Sequence, residues 1–239
     1  MIGILIYALV AGLGTCLGAA LIMLFGQMKE RVLALLLGLA SGVMTAVVIM
    51  DLLPTSLAYG GPGVCLLGFA GGFLLLTGLD FILTRLMPGR HNSQIYLRMG
   101  YLIALGIALH DLPEGIAIAA GYSTSAQLGP LLVLAIGLHN IPEGMATAAP
   151  LRASGMGGGR IIALNGLISL VTPLGTLLGL FILQASPALN ALLLALAAGA
   201  MIFIVIEKLV PASFNNQAIF ALCGAAAGFL FMARINSLF

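Results

Sequence analysis

Eight stretches of this chain are apolar for as long as a bilayer core demands, and only short connections lie between them. A membrane helix needs roughly 20 predominantly apolar residues. Residues 2–26, 32–58, 64–87, 95–121, 126–150, 160–184, 188–210 and 217–238 reach that length. Charged residues make up only 7% of the chain, against roughly 25% in soluble domains, so a water-facing surface could not be covered. The expectation is an all-α polytopic membrane protein, one integral domain over 1–239, in contact with the lipid bilayer. A net charge of +2 without a basic run argues against nucleic acid as a partner. Cys16, Cys65 and Cys223 each stand alone in an apolar run and read as packing residues. The N-terminus lacks the basic start and small-residue cleavage site of a signal peptide, so Ile2 onward reads as a retained span.

Basic residues orient the spans, because Lys and Arg accumulate in cytoplasmic loops. Lys29 and Arg31 flank the first connection; Arg85, Arg90 and Arg98 the third; Arg152 and Arg160 the fifth; Lys208 the seventh. Only Arg234 falls on the other side. Odd-numbered connections are therefore expected in the cytoplasm, with both termini outside.

Two internal repeats organise the chain. Residues 39–56 (LASGVMTAVVIMDLLPTS) align without gaps to 196–213 (LAAGAMIFIVIEKLVPAS), with nine identities in eighteen. Residues 107–121 (IALHDLPEGIAIAAG) align to 136–150 (IGLHNIPEGMATAAP), with nine identities in fifteen. Spans two and seven, like spans four and five, run antiparallel in this topology. The pattern is three, two and three helices, with the first three repeated upside down in the last three. Inverted repeats of this kind mark transporters, whose sites lie near the midplane at the repeat interface.

The second repeat carries the chemistry. His110–Asp111–Leu112–Pro113–Glu114–Gly115 and His139–Asn140–Ile141–Pro142–Glu143–Gly144 hold two of the three histidines and three of the seven carboxylates. Both sit near the middle of their spans. Helix positions i and i+4 share a face, so His110 stacks with Glu114 and His139 with Glu143. Asp111 and Asn140 lie about 100° round, at the flank of the same cavity. Three carboxylate anions facing lipid would cost on the order of 8–10 kcal/mol, so they must be neutralised. Arg98 lies about 18 Å along the axis from His110 at the ~1.5 Å helical rise, too far to pair. Protons or a divalent cation are the candidates. Imidazole and carboxylate suit Zn²⁺, and also Fe²⁺, Mn²⁺ or Co²⁺. The six side chains could hold one metal, or two sharing the glutamates. A zinc hydrolase would need glutamate beside the first histidine and an open coordination position; Asp111 or Asn140 stands there instead, and no nucleophile shares the face.

Four further charged positions can be read individually. Asp51, near the outer end of span two, is either an attractor for incoming metal or a solvated helix-end charge. Glu207, near the inner end of span seven, either serves on the exit side or pairs locally with Lys208 or headgroups. Asp80 and Arg85 read as inner-interface residues.

The doubled hexapeptide, with SGVM and DLLP in span two and AAGAM in span seven, resembles the bacterial branch of the ZIP zinc/iron-regulated transporters over essentially the whole chain. The resemblance implies uptake of a divalent metal, zinc foremost and Fe²⁺, Mn²⁺, Co²⁺ or Cd²⁺ among the alternatives, across the bacterial inner membrane. It implies a binuclear site, with His110, Glu114, His139 and Glu143 lining one position. Asp111 and Asn140, with the shared glutamates, line the second, and Met44 approaches from span two. It further implies an elevator motion of spans one, four, five and six against two, three, seven and eight, a homodimer, and no enzymatic activity or prosthetic group. Two departures stand out. Thr172, before Pro173, occupies a place where relatives often carry glutamate, and the connection between spans three and four offers only His91.

Overall fold

A computed structural model of the chain describes residues 1–24, 29–89, 91–124, 128–182, 187–214 and 217–237. Arg90, the pair Asn215–Asn216 and the expected span ends at 25–26, 126–127, 183–184 and 238 lie outside the described residues. Every regular element among them is helical: α1 (Ile2–Leu24), α2 (Glu30–Val47), α3 (Leu53–Leu86), α4 (Asn92–Thr124), α5 (Leu128–Ala153), α6 (Gly158–Ser169), α7 (Val171–Ile182), α8 (Pro187–Ile204), α9 (Val210–Phe214) and α10 (Ala218–Asn236). Seven helical stretches are long and apolar enough to cross a membrane, so the chain is an all-α, multi-pass membrane protein.

One stretch, Glu30–Leu86, runs to 57 residues, about 85 Å if straight at ~1.5 Å per residue. It is not straight. Gly61 leaves helical dihedrals altogether, at φ 71° and ψ 176°, a conformation that glycine alone adopts cheaply. Pro62 follows, with no N–H to continue the ladder. The glycine-rich connection expected at 60–63 is thus a break centred on a single residue.

The first internal repeat has a structural counterpart. Val48–Leu52 and Val205–Leu209 are single π-helical turns, at equivalent positions of the 39–56 and 196–213 segments. Proline explains both. Pro54 and Pro211 lack an N–H, and the residue before each reaches back five positions: Leu53 N–H to the Val48 carbonyl, Val210 N–H to the Val205 carbonyl. The ladder slips by one residue ahead of each ring. Span six is also interrupted, between α6 and α7 at Leu170. There Pro173 leaves the Ser169 carbonyl without its ladder donor, and Gly12 of α1 packs directly onto that oxygen.

Glycines sort the helices into two groups, because small residues let membrane helices approach backbone to backbone. A Cβ at Gly38 or Gly42 of α2 would overlap the Ala221 or Ala225 carbonyl of α10; at Gly72 of α3, the Leu196 carbonyl of α8. In the other group, Gly14 and Gly18 of α1 face the Gly137 and Ile141 carbonyls of α5, and Gly115 of α4 faces the Thr172 carbonyl of α7. So α2 is welded to α10 and α3 to α8 in the first group, and α1 to α5 and α6, and α4 to α7, in the second. Between the groups the closest glycine, Gly106 of α4, meets only the side-chain tips of Ile204 and Leu76. That seam is filled by Met44, Ile103, Ile107, Met201 and Ile204, all fully buried.

The welds predict a contrast between neighbours. Gly72→Leu drives a side chain into the Leu196 carbonyl, whereas a Cβ at Gly71 meets nothing within 4 Å. Overpacking costs about 1–3 kcal/mol. Thermal unfolding in detergent should show a lowered midpoint for Gly72→Leu and a midpoint near wild type for Gly71→Leu.

Candidate metal centre

The two hexapeptides lie on α4 and α5, and both helices run unbroken through Pro113 and Pro142. Each proline withholds a donor from the carbonyl four residues back, at Leu109 and Leu138. Gly144 lets α5 lie on the Thr15 carbonyl of α1, and Gly115 lets α4 lie on α7. These contacts hold the polar faces of α4 and α5 towards each other. His110, Asp111, Glu114, His139, Asn140 and Glu143 are all buried.

Glu114 is the pivot. Its Oε1 lies 2.7 Å from His110 Nε2 and 2.5 Å from His139 Nε2. One ligand atom from each of His110, Glu114 and His139 falls within 4.8 Å of the others. Glu143 Oε1 stands 3.6 Å from His110 Nε2, at the edge of this group. The His139 contact is a hydrogen bond, whereas His110 Nε2 is out of line for one. Both Nδ1 atoms, Glu114 Oε2 and both Glu143 oxygens have no hydrogen-bond partner. Buried polar atoms left unpaired are costly. Two imidazole nitrogens and carboxylate oxygens converging within one coordination sphere suit a borderline divalent ion.

The remaining expected residues divide. Asp111 is fully buried with both oxygens unpartnered, yet stands outside the three-residue group. Asn140 donates from Nδ2 to the Ala11 carbonyl at 3.1 Å, which leaves its Oδ1 free. Thr172 is fully buried with an unpartnered hydroxyl, and its carbonyl packs against Gly115, next to Glu114. Met44 is fully buried in the apolar seam.

A cavity of about 630 Å³ reaches the centre. Glu114 and His139 line it beside Pro113, and it extends past α5 to Asp51, Asn190 and Asn236. Those three residues lie where α2 and α10 end and α8 begins. Towards the other end of the molecule the seam of Met44, Ile103, Ile107, Met201 and Ile204 is closed.

One contact escaped the sequence reading. Lys208 Nζ pairs with Asp80 Oδ2 at 2.7 Å, linking the π turn after α8 to α3. The local alternative for Glu207, a pair with Lys208, is therefore corrected: Glu207 is exposed and Lys208 turns to α3 instead. Asp80 and Lys208 are 128 residues apart, and only the tight α3–α8 weld brings them together.

This arrangement is that of a multi-pass membrane protein with a buried histidine–glutamate cluster, able to hold a metal ion, between two of its helices. Residues 89–236 match the family model described as ZIP Zinc transporter. The chain is 35% identical over 244 residues to a Zinc transporter ZupT of Escherichia fergusonii, covering 92% of each. It is 34% identical to a Zinc transporter ZupT of Chlorobium luteolum, covering 96% of this chain and 95% of that one. The chain belongs to the ZIP zinc transporter family, and is a transporter rather than an enzyme.

The pivot role of Glu114 has a direct consequence. Glu114→Ala removes the oxygen that both histidines face. Outer-sphere changes cost metal sites 10–100-fold, so this change should weaken Zn²⁺ binding by at least about a hundredfold, read by calorimetry in detergent. Binding in the wild type should weaken as pH falls, because imidazole and carboxylate must be deprotonated to ligate.

Proposed function

We propose that the protein imports divalent transition-metal ions, zinc foremost, into the cytoplasm through the centre between α4 and α5. The observation that carries this reading is the approach of both His110 and His139 Nε2 to a single Glu114 oxygen, buried at the head of a cavity. Its support is the family membership and the relatives named as zinc transporters. Glu143 completes the first metal position. Asp111 and Asn140, with the glutamates, form a second that is weaker because Thr172 supplies no carboxylate. Met44 reaches the pathway from α2. Fe²⁺, Mn²⁺, Co²⁺ and Cd²⁺ are competing cargoes.

The chain forms one integral domain of eight spans in a three-two-three order, with Glu30–Leu86 making two of them across Gly61. The matched π turns support the inverted repeat. Both termini face outward, the basic connections face the cytoplasm, and the protein resides in the bacterial inner membrane as a homodimer. In this orientation the cavity opens outward and the closed apolar seam lies on the cytoplasmic side, an outward-facing state.

The motion is an elevator in which α1, α4, α5, α6 and α7 slide against α2, α3, α8 and α10. Backbone-to-backbone glycine contacts within each group, and side-chain tips alone at Gly106, support this division. A sliding surface must lack such welds, because interlocked backbones cannot shift without losing their packing.

Two experiments test the proposal. Purified protein in proteoliposomes with an internal zinc dye should accumulate Zn²⁺, and the Glu114→Ala, Glu143→Ala double variant should not; undiminished uptake in that variant sinks the site assignment. For the motion, a Gly106→Cys, Ile204→Cys pair in a background without the native cysteines should halt uptake when cross-linked and regain it on reduction. Transport that continues through the cross-link rules the sliding surface out.

A further inference from the structure

We infer that Arg98 is a latch, which ties the start of α4 to the end of α3 and must release before the group that carries the histidine–glutamate centre can slide. The inference rests on the sliding motion and orientation proposed above, and adds to them the contact that restrains the motion.

The chain crosses from one group of helices to the other where α3 ends at Leu86 and α4 begins at Asn92. The connection is short, so any displacement of α4 against α3 is felt there first. A helix end leaves its last carbonyls without intrahelical donors. The end of α5 meets that need from its own chain. The Gly155 N–H returns to the Arg152 carbonyl and the Met156 N–H to the Leu151 carbonyl, with Gly155 at φ 88°. Both α5 and α6 lie in the same group, and the turn between them closes without outside help.

The end of α3 is built differently. The Met87 N–H returns to the Leu83 carbonyl, and the carbonyls that follow are taken up by α4. Arg98, in the second turn of α4, donates from Nη1 to the Met87 carbonyl and from Nη2 to the Gly89 carbonyl, each at 3.3 Å. Gln94, four residues earlier and on the same face, lies so close over Gly89 that a Cβ there would overlap its side-chain amide. No aspartate or glutamate among the described residues comes within 4.0 Å of Arg98, so backbone carbonyls are its partners. A helix of one group is thus capped by a side chain of the other.

That cap biases the motion. The guanidinium is a rigid planar fork, and both of its acceptors sit on the end of α3, which Gly72 welds to α8. A slide of α4 along its axis changes both distances together. Bonds made in one state and lost in the other raise the population of the first. Here they favour the outward-facing arrangement, and they lie at the cytoplasmic end, far from the metal ligands.

The test reads conformation rather than transport, on the full chain in sealed inside-out vesicles without added metal. In a background without the native cysteines, Ile107→Cys places a thiol in the closed seam, where Ile107 is fully buried. Its labelling rate by a water-soluble maleimide reports opening towards the cytoplasm. Arg98→Ala should raise that rate about fivefold, and Arg98→Lys, a point charge without the fork, should fall between. Ile161→Cys is the control, fully buried on α6 near the same membrane face, and its rate should not change. An unaltered rate at Ile107→Cys overturns the latch. An equal rise at both thiols overturns it too, because it marks loosening of the whole fold. Zn²⁺ uptake is measured separately: a wild type that fails to take up Zn²⁺ while the labelling contrast holds sinks the transport reading and leaves the latch standing.

Discussion

An ionised carboxylate is costly to leave unpaired inside a bilayer, and the rest of this molecule depends on how that constraint is met at Glu114. Glu114 meets it by facing His110 on its own helix and His139 on the next. The first approach follows from helical periodicity alone, since the two residues are four apart. The second needs α5 to lie antiparallel to α4 at one register. That register is set elsewhere, by Gly14, Gly18 and Gly144 between α1 and α5, and by Gly115 and Gly175 between α4 and α7. The side chains of the motif's glycines offer no ligating atoms, yet a Cβ at Gly115 would push α4 off α7, and one at Gly144 would push α5 off α1, displacing the helices that carry Glu114 and His139.

Proline works on the same problem from the backbone side. Pro54, Pro113, Pro142, Pro173 and Pro211 each remove a donor inside an apolar segment, where no lipid can replace it. The responses differ with context. In α4 and α5 the helix continues. Before Pro54 and Pro211 the ladder slips into a π turn. Before Pro173 the helix breaks, and the carbonyl of Ser169 meets the close approach of α1 at Gly12. The two slips occur at equivalent sites because the flanking sequences are equivalent, so the repeat is legible in hydrogen bonding as well as in residue identity.

Much of this was readable from the residues. The alternation of apolar runs and breakers marked the helical stretches, but α3 runs from Leu53 through the connection expected between 58 and 64 to Leu86, so the bounds there were not readable. The pairing of His110 with Glu114 needs only the helical repeat. The approach of His139 to Glu114, rather than chiefly to Glu143 on its own helix, was not readable, because it depends on the rotation of α5 about its axis. The single-residue break at Gly61 was hidden in a run of three other breakers. The Asp80–Lys208 pair was hidden because each residue has nearer charged neighbours in sequence, Arg85 and Glu207, and only packing decides among them. Asp111 stays apart from the three-residue ligand group for a similar reason: a 100° offset on a helix permits a flank position without specifying how close it comes.

The two groups of helices differ in what holds them. Within the pairs α2–α10, α3–α8, α1–α5 and α4–α7, carbonyl oxygens lie where a Cβ would have to go, so the two members of a pair are packed backbone to backbone. Across the seam, branched and thioether side chains such as Ile107, Met44 and Ile204 face one another. The thioether chains of Met44 and Met201 in that seam adapt to altered contacts more readily than a backbone carbonyl does. His110, Glu114, His139 and Glu143 all belong to one group, on α4 and α5, whereas Asp51 belongs to the other. A sliding displacement along the seam would therefore carry the histidines and Glu114 together, with their mutual distances unchanged, and alter their distance from Asp51.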